Sequence, residues 1–418
     1  MADEKKISDF FEISYQEDQS LFNLKKISLV DDDIIDEIAI EINIRLSATI
    51  DGRVKKVKTD IPLSSYEVYE FVNPFLNAQN DTFGLKLMGK TIGKVFPANS
   101  LEVDIEEEDF EELEQAYRFY CINKIIQNTD TSTIDLKNDA QTIIQFSKLI
   151  NADSIYLIIF KPLIEINFNI ENFLPSLASK GYYYYATKTK SNVNDLLVNS
   201  NDEFLKDLVE SYFYKQRDHK FITLKSSRKL IEKEPLIKLL YVKLLSTSAN
   251  TLHRFLLLYQ IIEHLTESKF KEELNKVLEK KDELSNFKFI QKINEVHGAR
   301  ANINKLVNNL VFEDKNEITQ VFKEFIIEFD SEYNKEATGD CLYDIRNLLF
   351  HDFKSILNNN KENTVDSIIL RFEILIHGIV MNLGETDESI IEAPPSSQKR
   401  SLIKLLLKIL NSILNSKK

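Results

Sequence analysis

The chain has 418 residues, a formal net charge of -13, two cysteines, no tryptophan, and only nine glycines and eight prolines. That length calls for two or more domains, and the acidic balance excludes a broad electrostatic attraction to nucleic acid, so RNA binding would need a local basic patch. Cys121 and Cys341 are too few and too far apart for a disulfide framework or a zinc knuckle, which fits a reducing cytoplasm. Residues 1–9 are charged and polar, unlike a targeting segment, and no apolar run is long enough to span a bilayer.

Residues 36–50 alternate strictly. Ile38, Ile40, Ile42, Ile44, Leu46, Ala48 and Ile50 occupy every second position, which predicts a strand with one buried face. Asp51-Gly52 then reads as a two-residue hairpin turn, because both residues tolerate positive φ. The return strand is expected from Arg53 to about Ile61, with a bulge near Lys55-Lys56 where the apolar phase shifts from Val54 to Val57. The acidic run 104–114 leads into Tyr117, Phe119, Ile122 and Ile125, the pattern of a helix entered through acids. Short β-like runs follow at 155–160, 182–189 and 221–224.

After Pro235 apolar residues recur at helical spacing, predicting helices near 235–247, 249–268, 269–284, 287–311, 315–329, 338–358 and 364–383. Residues 385–398, with Pro394-Pro395, read as a linker, and 399–416 as a basic amphipathic helix. That helix suits docking on a partner or on its own bundle better than lying on an anionic membrane. The fold class is therefore α+β. A mixed α/β domain over 1–230, possibly subdivided and suited to sensing or targeting, precedes a helical bundle over 231–384 and a tail over 385–418.

The chemistry concentrates in Cys341–Phe353. Arg346 and His351 lie five apart, and Asn347 sits one helical turn before His351 on the same face. Histidine titrates near neutrality and can move protons; arginine offers a planar fork of donors that fits phosphate oxygens. Arg371 and His377 repeat the pair with one more intervening residue, but Phe372 replaces the polar follower. Asp344 could pair with Arg346, and Glu263 could either orient the site or bond within the bundle. His253 and His264 read as structural or solvent-facing.

This pattern of Arg, polar residue and later His resembles the HEPN ribonuclease signature. The earlier stretch Leu252–Leu265, with Tyr259 and Glu263, is similar to the early helix of the Apea-like HEPN branch. The resemblance covers roughly 235–384. It implies a metal-independent endoribonuclease with Arg346, Asn347 and His351 as catalytic residues and Glu263 and Asp344 in support. RNA is then the substrate and no cofactor is needed. It also implies a homodimer through the helical domain and products ending in a 2′,3′-cyclic phosphate and a 5′-hydroxyl. In bacteria such a layout looks like an anti-phage or abortive-infection toxin, with an unknown trigger sensed by the N-terminal domain. The runner-up is a catalytically silent HEPN module for RNA binding or dimerisation; a third reading is a helical scaffold.

The domain junction is relatively basic, with Lys188, Lys190, Lys215, Arg217 and Lys220 near Tyr182–Tyr185 and Tyr212–Tyr214. Aromatics interleaved with cations suit single-stranded RNA, but a core strand beside a solvated face is the favoured reading.

Overall fold

A computed structural model of the chain describes residues 5–28, 37–73, 82–102, 110–131, 143–151, 154–164, 168–185, 221–247, 251–308, 310, 314–352, 354, 356 and 362–384. The linker and basic tail over 385–418, the aspartates at 31–33, most of the acidic run and the junction cations from Lys188 to Lys220 lie outside these residues, as do Tyr212–Tyr214. The described residues form two compact units. One holds those up to 168 together with Phe221–Leu224, and the other holds 169–185 and 225–384. The first is β-rich and the second helical, an α+β chain. The units divide at 168 rather than at 230, because 169–185 and the segment after Leu224 pack into the helical unit.

In the β-rich unit, β1 (Phe11–Gln16), β2 (Leu21–Lys26) and β3 (Glu37–Glu41) run antiparallel, and β9 (Ile143–Gln145) joins β3 in parallel. The alternation of residues 36–50 holds as burial: Ile38, Ile40, Ile42, Ile44, Leu46 and Ala48 are all core residues. Yet the run is not one strand. It leaves the first sheet after Glu41 and resumes as β4 (Ser47–Ile50), which pairs with β5 (Arg53–Lys56) in a separate hairpin. Asp51 and Gly52 both have positive φ, as expected for that turn. The bulge is absent: the pairs from Ser47↔Lys56 to Ile50↔Arg53 run without a shift. Val54 simply faces outward, 63% exposed, while Val57 turns into the core and donates its N–H to Leu46.

A second sheet contains β6 (Tyr66–Val72), β7 (Phe83–Leu87), β8 (Lys90–Pro97), β10 (Ser154–Phe160) and β12 (Phe221–Leu224), in the order β6-β10-β8-β7-β12. Every residue of β10 is buried, so the strand reads as a continuous apolar run rather than an alternation. The helix α1 (Glu112–Asn128) packs against this framework with Tyr117, Phe119, Tyr120, Cys121 and Ile122. Its first turn is tied to β8: Glu114 pairs with Lys94 and Arg118, which hold its carboxyl below the usual range although burial pushes the other way.

The helical unit contains α2 (Leu174–Ala178), the two-residue β11 (Tyr183–Tyr184), α3 (Arg228–Lys233) and α4 (Pro235–Leu239). Then come α5 (Thr251–Glu279), α6 (Asn286–His297), α7 (Ala299–Val307), α8 (Lys315–Ile327), α9 (Thr338–His351) and α10 (Glu362–Gly384). The helices expected at 249–268 and 269–284 are one 29-residue helix. Their polar boundary, Glu267-Ser268-Lys269, contains neither glycine nor proline, and nothing else there ends the hydrogen-bond ladder. Conversely the helix expected over 287–311 breaks at Gly298, which is extended and serves as C-cap of α6 and N-cap of α7. Among the described residues no helix is long and apolar enough to cross a membrane.

Gly93 marks the closest approach in the β-rich unit. A Cβ there would lie 2.0 Å from the carbonyl oxygen of Ile158 on the paired strand β10. Backbone held in a ladder cannot yield as a side chain would, so Gly93→Ala is predicted to destabilise this unit by roughly 1–3 kcal/mol or more. Urea unfolding followed by circular dichroism checks it; an unchanged midpoint would contradict this packing.

Candidate active site

The Arg346 cluster is built on α9, whose N-terminal end is held hard against α7. A Cβ on Gly339 would come within 2.8 Å of the Asn304 backbone nitrogen, so only glycine lets the helices approach this closely. One turn apart, Asp340 and Asp344 receive the α7 side chains: Asn304 donates to Asp340 over 3.0 Å, and Arg300 forks onto Asp344. Lys335 adds a third bond to Asp344 at 3.0 Å. The expected Asp344–Arg346 pair therefore does not form. Two positions apart on a helix, the side chains diverge by about 200°, and Asp344 anchors α9 to α7 while Arg346 leaves from the opposite side.

At the other end of α9 the remaining residues converge. Arg346 Nη1 donates to His351 Nε2 over 2.5 Å and to Asn347 Oδ1 over 3.2 Å. Its Nη2 lies 3.8 Å from Glu263 Oε1, on α5. The guanidinium sits 5.7 Å from the ring centre of Tyr259 and 5.6 Å from that of Phe350. Aromatic faces attract a cation and restrict where the fork can go. Tyr259 is four residues before Glu263 and Phe350 four after Arg346, so each helix supplies one ring and one polar group at single-turn spacing. Burial pushes the Tyr259 phenol up to about 12, against the pull of Arg346, so it stays neutral. His351 and Glu263 are exposed, and Arg346 and Asn347 are partly so. An arginine only donates, so the His351 Nε2 it contacts takes the acceptor side of that bond. The assembled groups are a base, an anion-binding fork and an amide within reach of bulk solvent. Among the described residues no group of three His, Cys, Asp or Glu side chains is placed to hold a metal ion.

The rival pair does something else. His377 is 1% exposed, with its Nδ1 2.8 Å from the Tyr241 hydroxyl and its Nε2 3.0 Å from that of Tyr183. Glu373, one turn earlier on α10, takes Arg254 of α5 through a bond of 2.9 Å and also accepts from Tyr183. Arg254 in turn donates to the Leu245 carbonyl at 2.7 Å. Arg371 is not part of this group and donates to Ser367. The five-residue cluster of Tyr183, Tyr241, Arg254, Glu373 and His377 is sealed from solvent, unsuited to a polymer substrate. Sequence reasoning missed it, although one signal was present: Arg254, Glu373 and His377 sit on otherwise apolar helical stripes. His264 pairs with Glu234 at 2.6 Å, in keeping with a structural role.

No protein-family model matches the chain, and no curated protein or solved structure matches it either.

The buried cluster predicts acid sensitivity. Burial alone would raise the Glu373 carboxyl, but Arg254 and His377 hold it at about 2, well under its ordinary 4.5. Burial also lowers His377 from its ordinary 6.5. Both folded values lie below the unfolded ones, so the unfolded chain binds protons first. The stability from both groups is present above pH 6.5 and lost on acidification, His377 acting from about 6.5 downward and Glu373 from about 4.5 towards 2. Thermal melts across this range should show the helical unit weakening in these two stages, with the upper stage missing in His377→Gln. A melting temperature flat from pH 7.5 to about 5 would refute the account of His377.

Proposed function

We propose that the helical unit is a HEPN-type endoribonuclease domain whose catalytic residues are Arg346, Asn347 and His351. The observation that carries the reading is the 2.5 Å contact between Arg346 and His351 on an exposed helix end. Cleavage without a metal ion needs a base for the ribose 2′-hydroxyl and a fixed positive charge for the phosphorane, and those two groups are neighbours here. An incoming phosphate takes the Arg346 fork, which frees the His351 Nε2 lone pair. His351 then removes the 2′-hydroxyl proton, the 2′ oxygen attacks phosphorus, and the P–O5′ bond breaks as the departing 5′ oxygen takes a proton from water, while the proton on His351 returns to solvent. The products are a 2′,3′-cyclic phosphate and a 5′-hydroxyl. Asn347 steadies the guanidinium, Glu263 and the rings of Tyr259 and Phe350 set its direction, and Asp344 acts at a distance by fixing α9. Two copies paired through this unit would place two such sets at one cleft, and a defence role against phage follows from the family resemblance.

His351→Ala and Arg346→Ala are each predicted to lower RNA cleavage by about a hundredfold to ten-thousandfold, with thermal stability little changed, because both groups act on charge that develops in the transition state. Cleavage should persist in excess chelator. His377→Gln should lose stability before it loses activity at neutral pH. Full cleavage by both alanine variants would overturn the assignment; RNA binding without cleavage by the unaltered protein would favour the silent module.

A further inference from the structure

The outer face of the β4–β5 hairpin is cationic in an otherwise acidic chain. Residues 45–58 hold five cations, Arg45, Arg53, Lys55, Lys56 and Lys58, against one carboxylate, Asp51 at the turn. The period of two sorts them. Leu46, Ala48 and Val57 face the core, and Glu17 lies on that inner side, in the cleft that Leu46 and Val57 line. Arg45, Ser47 and Thr49 face outward from one strand, and Val54, Lys56 and Lys58 from the other. All of these six but Ser47 are exposed. Ser47 stands opposite Lys56, and the bond from the Val57 N–H to the Leu46 carbonyl carries the pairing one step further, which brings Arg45 opposite Lys58. Like charges set across two strands repel, so the fold itself gains nothing from this placing. In the same unit Lys94 and Arg118 share Glu114, whereas among the described residues no carboxylate pairs with Lys56 or Lys58.

We propose that this hairpin face binds the phosphate backbone of RNA. Lys56 and Lys58 are two residues apart on one strand, about 7 Å along it, and Arg45 lies across from Lys58, so three cations can meet one polyanion together. An arginine fork fits phosphate oxygens, lysine meets them as a point charge, and the Ser47 and Thr49 hydroxyls add donors. Carboxylates more than about 8 Å away are screened at physiological ionic strength, so a chain of net charge -13 can still present a cationic contact. No aromatic ring stands among the six outward residues, so bases have nothing to stack on and the contact does not select sequence. An anionic membrane fits less well, because Val54 is the one aliphatic side chain among them and offers little apolar surface to enter a bilayer. The choice of RNA rests on the ribonuclease reading of the helical unit, which needs a surface to hold a polyanion that the chain at large repels.

Fluorescence anisotropy of the full chain carrying His351→Ala, with labelled oligouridylate and oligoadenylate across a range of salt concentrations, tests it. Adding Lys56→Gln and Lys58→Gln should weaken both RNAs by about tenfold and flatten the slope of log affinity against log salt by about 1.4, the share of two phosphate contacts. The same loss of charge elsewhere on the unit, Lys25→Gln with Lys148→Gln, should leave affinity and slope nearly unchanged. All four lysines are exposed, so each variant should keep the circular dichroism spectrum of its parent. Unchanged affinity and slope in the hairpin variant, or an equal loss in the other, would overturn the site. A loss confined to one of the two RNA sequences would overturn backbone recognition, and tighter hairpin-dependent binding of oligothymidylate than of oligouridylate would overturn the choice of RNA. Vesicles of phosphatidylcholine and phosphatidylserine that bind through Lys56 and Lys58, when RNA does not, would assign the face to a membrane instead. Binding is read apart from cleavage: a chain that holds RNA through the hairpin but cuts none would count against the ribonuclease reading and leave this site standing.

Discussion

The helical unit turns on the buried pair Arg254–Glu373. It joins α5 to α10 in an interior where neither charge meets water, and it is completed by Tyr183, Tyr241, His377 and the Leu245 carbonyl. Taking two charges out of water costs several kcal/mol per ion, and only close geometry with further hydrogen bonds offsets it. Removing one partner strands the other, at a cost of about 3–5 kcal/mol. The pair therefore contributes less net stability than uniqueness: helices that must satisfy each other's buried charges have one register in which they can meet.

That register places the exposed cluster. Glu263 follows Arg254 by nine residues on the same helix, half a turn out of phase, so anchoring Arg254 inward aims Glu263 outward. Phe255 packs on Phe372 at 4.4 Å and on Phe350 at 5.4 Å between ring centres, linking α10, α5 and the end of α9 in one aromatic layer. Arg346 lies over the edge of that layer, held by Tyr259 and Phe350. The closed polar cluster and the open one thus share a support. The closed one is neutralised internally, whereas the open one leaves a partly exposed cation fork and an exposed imidazole at the surface.

The β-rich unit solves a different problem. Two sheets and a hairpin must share one helix, and α1 answers with apolar surface on nearly every side, its acidic first turn clamped by Lys94 and Arg118. Tyr66 stacks on Tyr120 at 4.3 Å and Phe22 on Phe119 at 5.6 Å, so each ring reaches a different sheet. Within this seam two carboxamides of α1, Gln115 and Asn123, each keep a buried polar atom without a hydrogen-bond partner among the described residues.

Local pattern alone determined a good deal. The alternation at 38–48 set which side chains are buried, Asp51-Gly52 set the turn, and the apolar period after Pro235 set a helical unit, because these depend on neighbours one to four residues away. The site helix and the Arg346, Asn347 and His351 spacing were legible for the same reason. Tertiary structure decided the rest. Whether an alternating run makes one strand or serves two sheets depends on partners far along the chain, which the side-chain period does not encode. Asp344 was close to Arg346 in sequence but was claimed by Arg300, forty-four residues away. Arg371 and His377 looked like a second active pair until the packing of α10 separated them. Burial is a property of the assembled chain, and it alone turned one histidine into a structural group and left the other open to solvent.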